Sequence, residues 1–193
     1  MGRLHGGSRV TAEKREQKIV SALEGYEPEI GRLLWMLEDT RQRTLAFLEG
    51  LTDETLDWTP FPGGNSIATL LYHLAAIEAD WLYAEVLEQP DFPPQIVALF
   101  PADVRDERGQ LTPSQEAGLD VYLDRLAAVR RALLAGFAGM TLADFRRART
   151  LPDYAVTPEW VLHHLMQHEA EHRGQIGMLR EMAESAERKS IHT

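Results

Sequence analysis

Apolar residues recur along this chain at helical spacing. In "PEIGRLLWMLEDTRQRTLAFLEGL", Ile30, Leu33, Leu34, Leu37, Leu45 and Leu48 share one face, Pro28 suits a first turn and Gly50 can end the helix. Upstream, "TAEKREQKIVSALEGY" offers Thr11 as a cap and Gly25 as a stop, which predicts an extra N-terminal helical segment. Asn65 or Ser66 caps a second long helix, "IATLLYHLAAIEADWLYAEVLEQ". Its stripe is Ile67, Leu70, Leu74, Ile77 and Trp81, and Pro90 stops it. Thr112-Pro113 opens a third, to about Phe137, with Leu119, Tyr122, Leu123, Leu126, Val129, Leu133 and Leu134 on its apolar face. Thr157-Pro158-Glu159 opens the last, to about Glu187.

The segments between these helices differ in kind. "TDETLDWTPFPGGNS" reads as a loop, with Trp58 and Phe61 expected to fold back on the core. Residues 90–112 hold four prolines and show no clear period, so they form a long connection of the sort that often carries function. The stretch "GMTLADFRRARTLPDYAV" is a second connection with room for one helical turn. No strand alternation, GxGxxG, P-loop or solenoid repeat is evident. The pattern predicts an all-α four-helix bundle with an extra N-terminal helical segment and a long connection between bundle helices 2 and 3. One helical domain is expected over residues 11–187, with residues 1–10 disordered and 188–193 a frayed tail.

Composition narrows the function. The chain has 193 residues, 44% hydrophobic and 26% charged, which suits one globular domain. A net charge of −10 argues against nucleic acid as a partner. Arg125, Arg130, Arg131, Arg146, Arg147 and Arg149 cluster in sequence and read as a solvated helix face and loop, or else as a site for an acidic small molecule. With no cysteine there is no disulfide, thiolate ligand or cysteine nucleophile. "MGRLHGGSRV" lacks the apolar region of a secretory signal, and no apolar run is long enough for a bilayer. A soluble, cytoplasmic protein without a membrane partner is expected.

The candidate chemistry lies in the histidines. His5 and His192 sit near the ends of the chain, and the other five fall on two predicted helices. On the last helix, Val161, Leu165, Ile176 and Leu179 form the apolar stripe. At about 100° per residue, His172 falls within it and His168 about 40° from its centre. His164 lies near the edge and His163 points away. His73 lies near the edge of the second helix's stripe. A lone inward histidine is ordinarily a hydrogen-bonded core residue. Two at i and i+4 admit another reading, in which three neutral imidazoles bind zinc, nickel or ferrous iron and leave a position open.

"HEAEH" also matches the zinc-protease pattern His-Glu-x-x-His, with Glu169 as general base. A protease needs a third ligand downstream, and Glu181, Glu184 and Glu187 lie on the same straight helix, which cannot return to the metal. No edge strand is available for a peptide either. Glu169 lies at the other margin of the stripe, where it reaches a metal-bound water, serves as a buried salt-bridge partner or is a solvated acid.

"NSIATLLYHLAAIEADWL" and "HHLMQHEAEHRGQIGML" together resemble the DinB-like (DinB/YfiT) family of bacterial proteins, over roughly residues 27–185. The shared pattern is Ser-Ile at the start of the second helix, one histidine within it, and His-x-x-x-His-Arg-Gly-Gln in the last. The resemblance implies a four-helix bundle with a divalent metal held by His73, His168 and His172, and commonly a homodimer. Arg173, Gly174 and Gln175 match the tail motif, with Gln175 a candidate to support a ligand from behind. Some related proteins are S-transferases using thiols such as mycothiol or bacillithiol, and maleylpyruvate isomerase is a related enzyme. A metal-dependent thiol S-transferase acting on a small electrophile is therefore one expectation, with Glu169 orienting water or thiol and Phe92 and Phe100 shaping the pocket. A non-catalytic, stress-related bundle binding metal or a small molecule is the other.

Overall fold

In a computed structural model, residues 18–89, 91–115 and 118–191 are described. Four apolar stripes become four long helices. Helix α1 spans Pro28–Leu48, with Pro28 in its first turn and the Glu27 carboxylate accepting from the Glu29 N–H. A short α2, Asp53–Asp57, is capped by Thr52 within the stretch expected to be loop. Helix α3 runs over Ile67–Asp80 from a Ser66 cap and continues as a π-helical turn, Trp81–Val86. Then come α4 (Pro94–Val97), α5 (Leu119–Phe137), α6 (Leu142–Phe145) and α7 (Pro158–Ile191). Two-residue strands β1 (Arg149–Thr150) and β2 (Ala155–Val156) pair antiparallel just before α7.

Helix α3 is central, packing on both α5 and α7, while α1 packs on α7. This explains why its burial is wider than the predicted stripe. Ala68, Leu71, Ala75 and Ala79 are as buried as Leu70 and Leu74. A helix with partners on two sides is apolar nearly all round. Each fully buried leucine, such as Leu34, Leu37 and Leu71, contributes about 1.5–3 kcal/mol.

Several expectations need correction. The N-terminal helical segment begins outside the described residues, and its expected last turns, Lys18–Leu23, are not helical. They lie along α1 instead. The Leu23 N–H donates to the Gly31 carbonyl at 3.1 Å, and a Cβ on Gly31 would stand 2.9 Å from the Leu23 oxygen. Helix α5 starts at Leu119, not at Thr112-Pro113. Thr112 is tied into a hairpin by its N–H to the Val104 carbonyl, and the Ser114 N–H donates to Thr69 Oγ1. Trp58 packs against the core as expected, but Phe61 is 63% exposed at the tip of a turn closed by Gly64 N–H to Phe61 O. Helix α7 continues to Ile191, past the expected end near Glu187. Residues 1–17, Pro90, His192 and Thr193, on which other expectations fell, lie outside the described residues.

The arginine cluster also departs from the solvated reading. Arg125, Arg130 and Arg149 are buried, while Arg131, Arg146 and Arg147 are exposed. Arg130 on α5 and Arg41 on α1 meet Glu78 on α3 and Glu169 on α7. Each bundle helix contributes one charge to this buried cluster. Their carbonyl partners, Leu126 for Arg41 and Leu37 for Arg130, add further cross-helix bonds. Glu38 bonds Arg130 Nη1 at 2.6 Å from the cluster's outer edge. Burial alone raises the Glu78 carboxyl, but Arg130 and Arg41 outweigh it and hold it below the usual range.

Candidate metal centre

His73 comes from the middle of α3, and His168 and His172 from successive turns of α7, which packs beside it. The i, i+4 spacing stacks the two α7 imidazoles on one face. His168 Nε2 lies 3.1 Å from His73 Nε2 and 3.1 Å from His172 Nε2. All three atoms fall within 4.8 Å of one another. His73 is buried and the other two are half-buried, so the cluster opens to solvent on the α7 side. His73 is deeper than its edge position suggested, because α3 is enclosed on both sides.

Protons alone do not satisfy this arrangement. An aromatic ring nitrogen offers one site, a proton or a lone pair. His168 Nε2 faces two other ring nitrogens with that single site, so one N–H···N bond leaves the other contact unmet. One cation resolves both contacts. Nitrogens about 2.0–2.1 Å from a tetrahedral zinc lie roughly 3.3–3.4 Å apart, near the 3.1 Å spacings here. The donor set therefore fits a divalent ion.

The surroundings favour neutral imidazoles. Burial, followed by the charges on His172 and Arg105, lowers His73 to about 4. Burial, followed by His172, His73, His164 and Arg105, lowers His168 to about 3. Behind His172, Nδ1 lies 2.8 Å from Gln175 Oε1. A carbonyl oxygen there puts the ring proton on Nδ1 and leaves the Nε2 lone pair toward the cluster. His73 Nδ1, by contrast, is buried with no hydrogen-bond partner among the described residues.

The other candidates fall as follows. Glu169 is 2% exposed, with Oε1 2.8 Å from Arg41 Nε and Oε2 3.3 Å from Arg130 Nη2. Both oxygens are engaged, as in the salt-bridge alternative and unlike a base facing a bound water. His163 is exposed. His164 is half-buried, stacked on Trp160 at 5.0 Å and 7°, with Trp81 at 4.7 Å and His168 at 5.8 Å between ring centroids. Arg173 Nη1 donates to the Thr40 carbonyl and links α7 to α1. Nothing within 4 Å of its added Cβ explains Gly174.

The connection after α3 forms a wall beside the cluster. Tyr72 donates to the Ala102 carbonyl and accepts the Ala102 N–H at 3.1 Å. Arg125 Nε donates to the Leu99 carbonyl at 2.6 Å, with its guanidinium 4.8 Å from the Tyr72 ring centroid. A cavity of about 450 Å³ opens there, lined by Ile77, Asp80, Phe92, Phe100 and Arg105 among others. Phe92 and Phe100 thus line a pocket, as expected. Arg105 was missed, for its only sequence signal is the Asp106-to-Gly109 turn beside it.

The fold and cluster define a helical bundle with three histidines converging between two of its long helices. A model of the DinB superfamily matches residues 36–176, and the chain belongs to that superfamily. The chain is also similar to a solved structure described as the conserved protein of locus from Enterococcus faecalis. The TM-score is 0.61 at 16% identity, covering 79% of this chain and 95% of that one. At that identity the likeness shows the fold alone. No curated protein sequence matches the chain.

Proposed function

We propose that His73, His168 and His172 hold one divalent ion, zinc, nickel or iron, and that the protein is a metal-dependent S-transferase joining a low-molecular-weight thiol to a small electrophile. The convergence of three imidazole Nε2 atoms carries this reading. A divalent ion held there lowers the pKa of a thiol and favours the thiolate. The sulfur comes from a free thiol, since the chain has no cysteine. In the net reaction the thiol S–H bond breaks and its proton passes to solvent. A carbon–sulfur bond forms as the electrophile's leaving group departs with its electron pair. Gln175 orients His172, the enclosure of His73 keeps water from one side, and Phe92 and Phe100 offer an apolar wall to the electrophile.

Metal or small-molecule binding without turnover is the second reading. The engagement of both Glu169 oxygens favours it, because that carboxylate was the acid–base candidate. The experiment is a conjugation assay with mycothiol or bacillithiol and small electrophiles, using zinc-, nickel- and iron-loaded protein. Turnover that needs metal and disappears in His168→Ala supports the transferase. Stoichiometric metal binding with no conjugation by any loaded form supports binding without turnover. The homodimer implied by the resemblance belongs to the same reading. Its test is light scattering, with exposed Met178 and Met182 as apolar positions available to an interface.

A further inference from the structure

The cavity beside the histidines contains a cation held in place by its own hairpin. Ala76 and Ile77, three and four residues after His73 on α3, form one wall, so the cavity lies along the His73 face of that helix. Phe92, Val97 and Phe100 add apolar lining. Arg105 is an exposed residue of the same lining.

The hairpin that carries Arg105 is tightly bonded. Arg105 bridges Leu111, the Thr112 N–H donates to Val104, and the Asp106 N–H donates to Gln110. Asp106 Oδ1 accepts the N–H groups of Arg108 and Gln110, both at 2.9 Å. Gly109, at φ 76°, closes the turn. Arg105 Nη1 donates to the Gly109 carbonyl at 2.8 Å, which fixes one edge of the guanidinium. Among the described residues, Arg105 has no carboxylate within ion-pair distance, unlike buried Arg41 and Arg130. A planar fork with one edge anchored and no ion pair among the described residues is suited to take a carboxylate.

We propose that this cavity binds a small ligand with an apolar, ring-sized body and a carboxylate group, and that Arg105 is the residue that reads the carboxylate. The inference names the substrate class for the proposed histidine site and rests on that reading for its catalytic meaning. The apolar body lies against Phe92, Phe100 and Ile77. Asp80 and Asp103 line the same cavity and disfavour a second anionic group away from Arg105.

The test uses calorimetric titration with 4-phenylbutyrate, its neutral amide and the matching amine. Metal-free and zinc-loaded full-length protein are both titrated, with zinc stoichiometry measured on the same samples. The carboxylate should bind most tightly in both forms. Arg105→Gln should weaken it about tenfold, the scale of one charge-assisted hydrogen bond, and leave the amide unchanged. Arg105→Lys should recover part of the loss. Zinc stoichiometry should be the same in Arg105→Gln as in wild type, so failure of the metal reading and failure of this one give different results. Equal binding of carboxylate and amide, an unchanged carboxylate affinity in Arg105→Gln, or no binding of any probe overturns the proposal. Carboxylate binding seen only in zinc-loaded protein and indifferent to Arg105 also overturns it, since the ion would then be the reader.

Discussion

His73 Nε2 and His168 Nε2 face each other at 3.1 Å although the residues are 95 positions apart. Two long helices must pack at one register to bring them there. His73 keeps one ring proton when neutral. Whichever ring nitrogen carries it, Nδ1 is buried with no partner among the described residues. An unpaired buried donor or acceptor costs about 1–3 kcal/mol. On the proposed metal reading, this position is filled for ligand binding at the expense of stability.

That cost can be measured. Metal-free His73→Leu should be as stable as wild type or up to about 2 kcal/mol more stable, because an apolar side chain removes the unpaired ring nitrogen. Urea denaturation in the presence of a chelator checks this. A loss above about 2 kcal/mol would mean that His73 is a structural core histidine.

On the proposed metal reading, Gln175 acts through His172. Gln175→Ala removes the acceptor 2.8 Å from His172 Nδ1 and should weaken zinc affinity about 10–100-fold. Because Gln175 is exposed, melting of the metal-free protein should move little. Competition with a chromogenic chelator reads the affinity. An unchanged affinity would remove Gln175 from the site.

The metal-free protein should lose stability in acid through these histidines. His73 and His168 titrate at about 4 and about 3 when folded, against 6.5 when unfolded. Below the unfolded value the unfolded chain binds more protons, so their contribution is intact above about pH 6.5. It falls as pH drops toward 4 for His73 and 3 for His168. The double variant His73→Leu/His168→Leu should show a shallower decline over that window. Parallel curves for variant and wild type would contradict the depressed titration.

The charge cluster next to the histidines should matter for folding. Glu169→Ala leaves Arg41 and Arg130 buried with one carboxylate fewer and should cost about 3–5 kcal/mol. The same protein, if folded, should still bind zinc near wild-type affinity, which separates this carboxylate from the metal site. Loss of zinc without loss of stability would instead return Glu169 to the site.

Much of this architecture is legible from periodicity and caps. Ser66, Thr157 and Pro28 mark helix starts because their side chains or ring geometry act locally. His168 and His172 stand out because helical spacing alone puts them on one face. His73 needed the family pattern, since its place near a stripe's edge hides how fully α5 and α7 enclose α3. Arg130 looks solvated in sequence because its partners are far away. Arg130 reaches Glu78 across 52 positions and Glu169 across 39, and no local pattern encodes such pairs. The late start of α5 likewise goes with a distant bond, from the Ser114 N–H to Thr69 Oγ1.

The most direct test of the account is metal stoichiometry by inductively coupled plasma mass spectrometry after zinc, nickel or iron loading and desalting. The account predicts about one ion per chain in the wild type and in His164→Ala, and none retained in His73→Ala, His168→Ala or His172→Ala. A wild type that holds none of the three metals, or a His73→Ala protein that still holds one per chain, would contradict it.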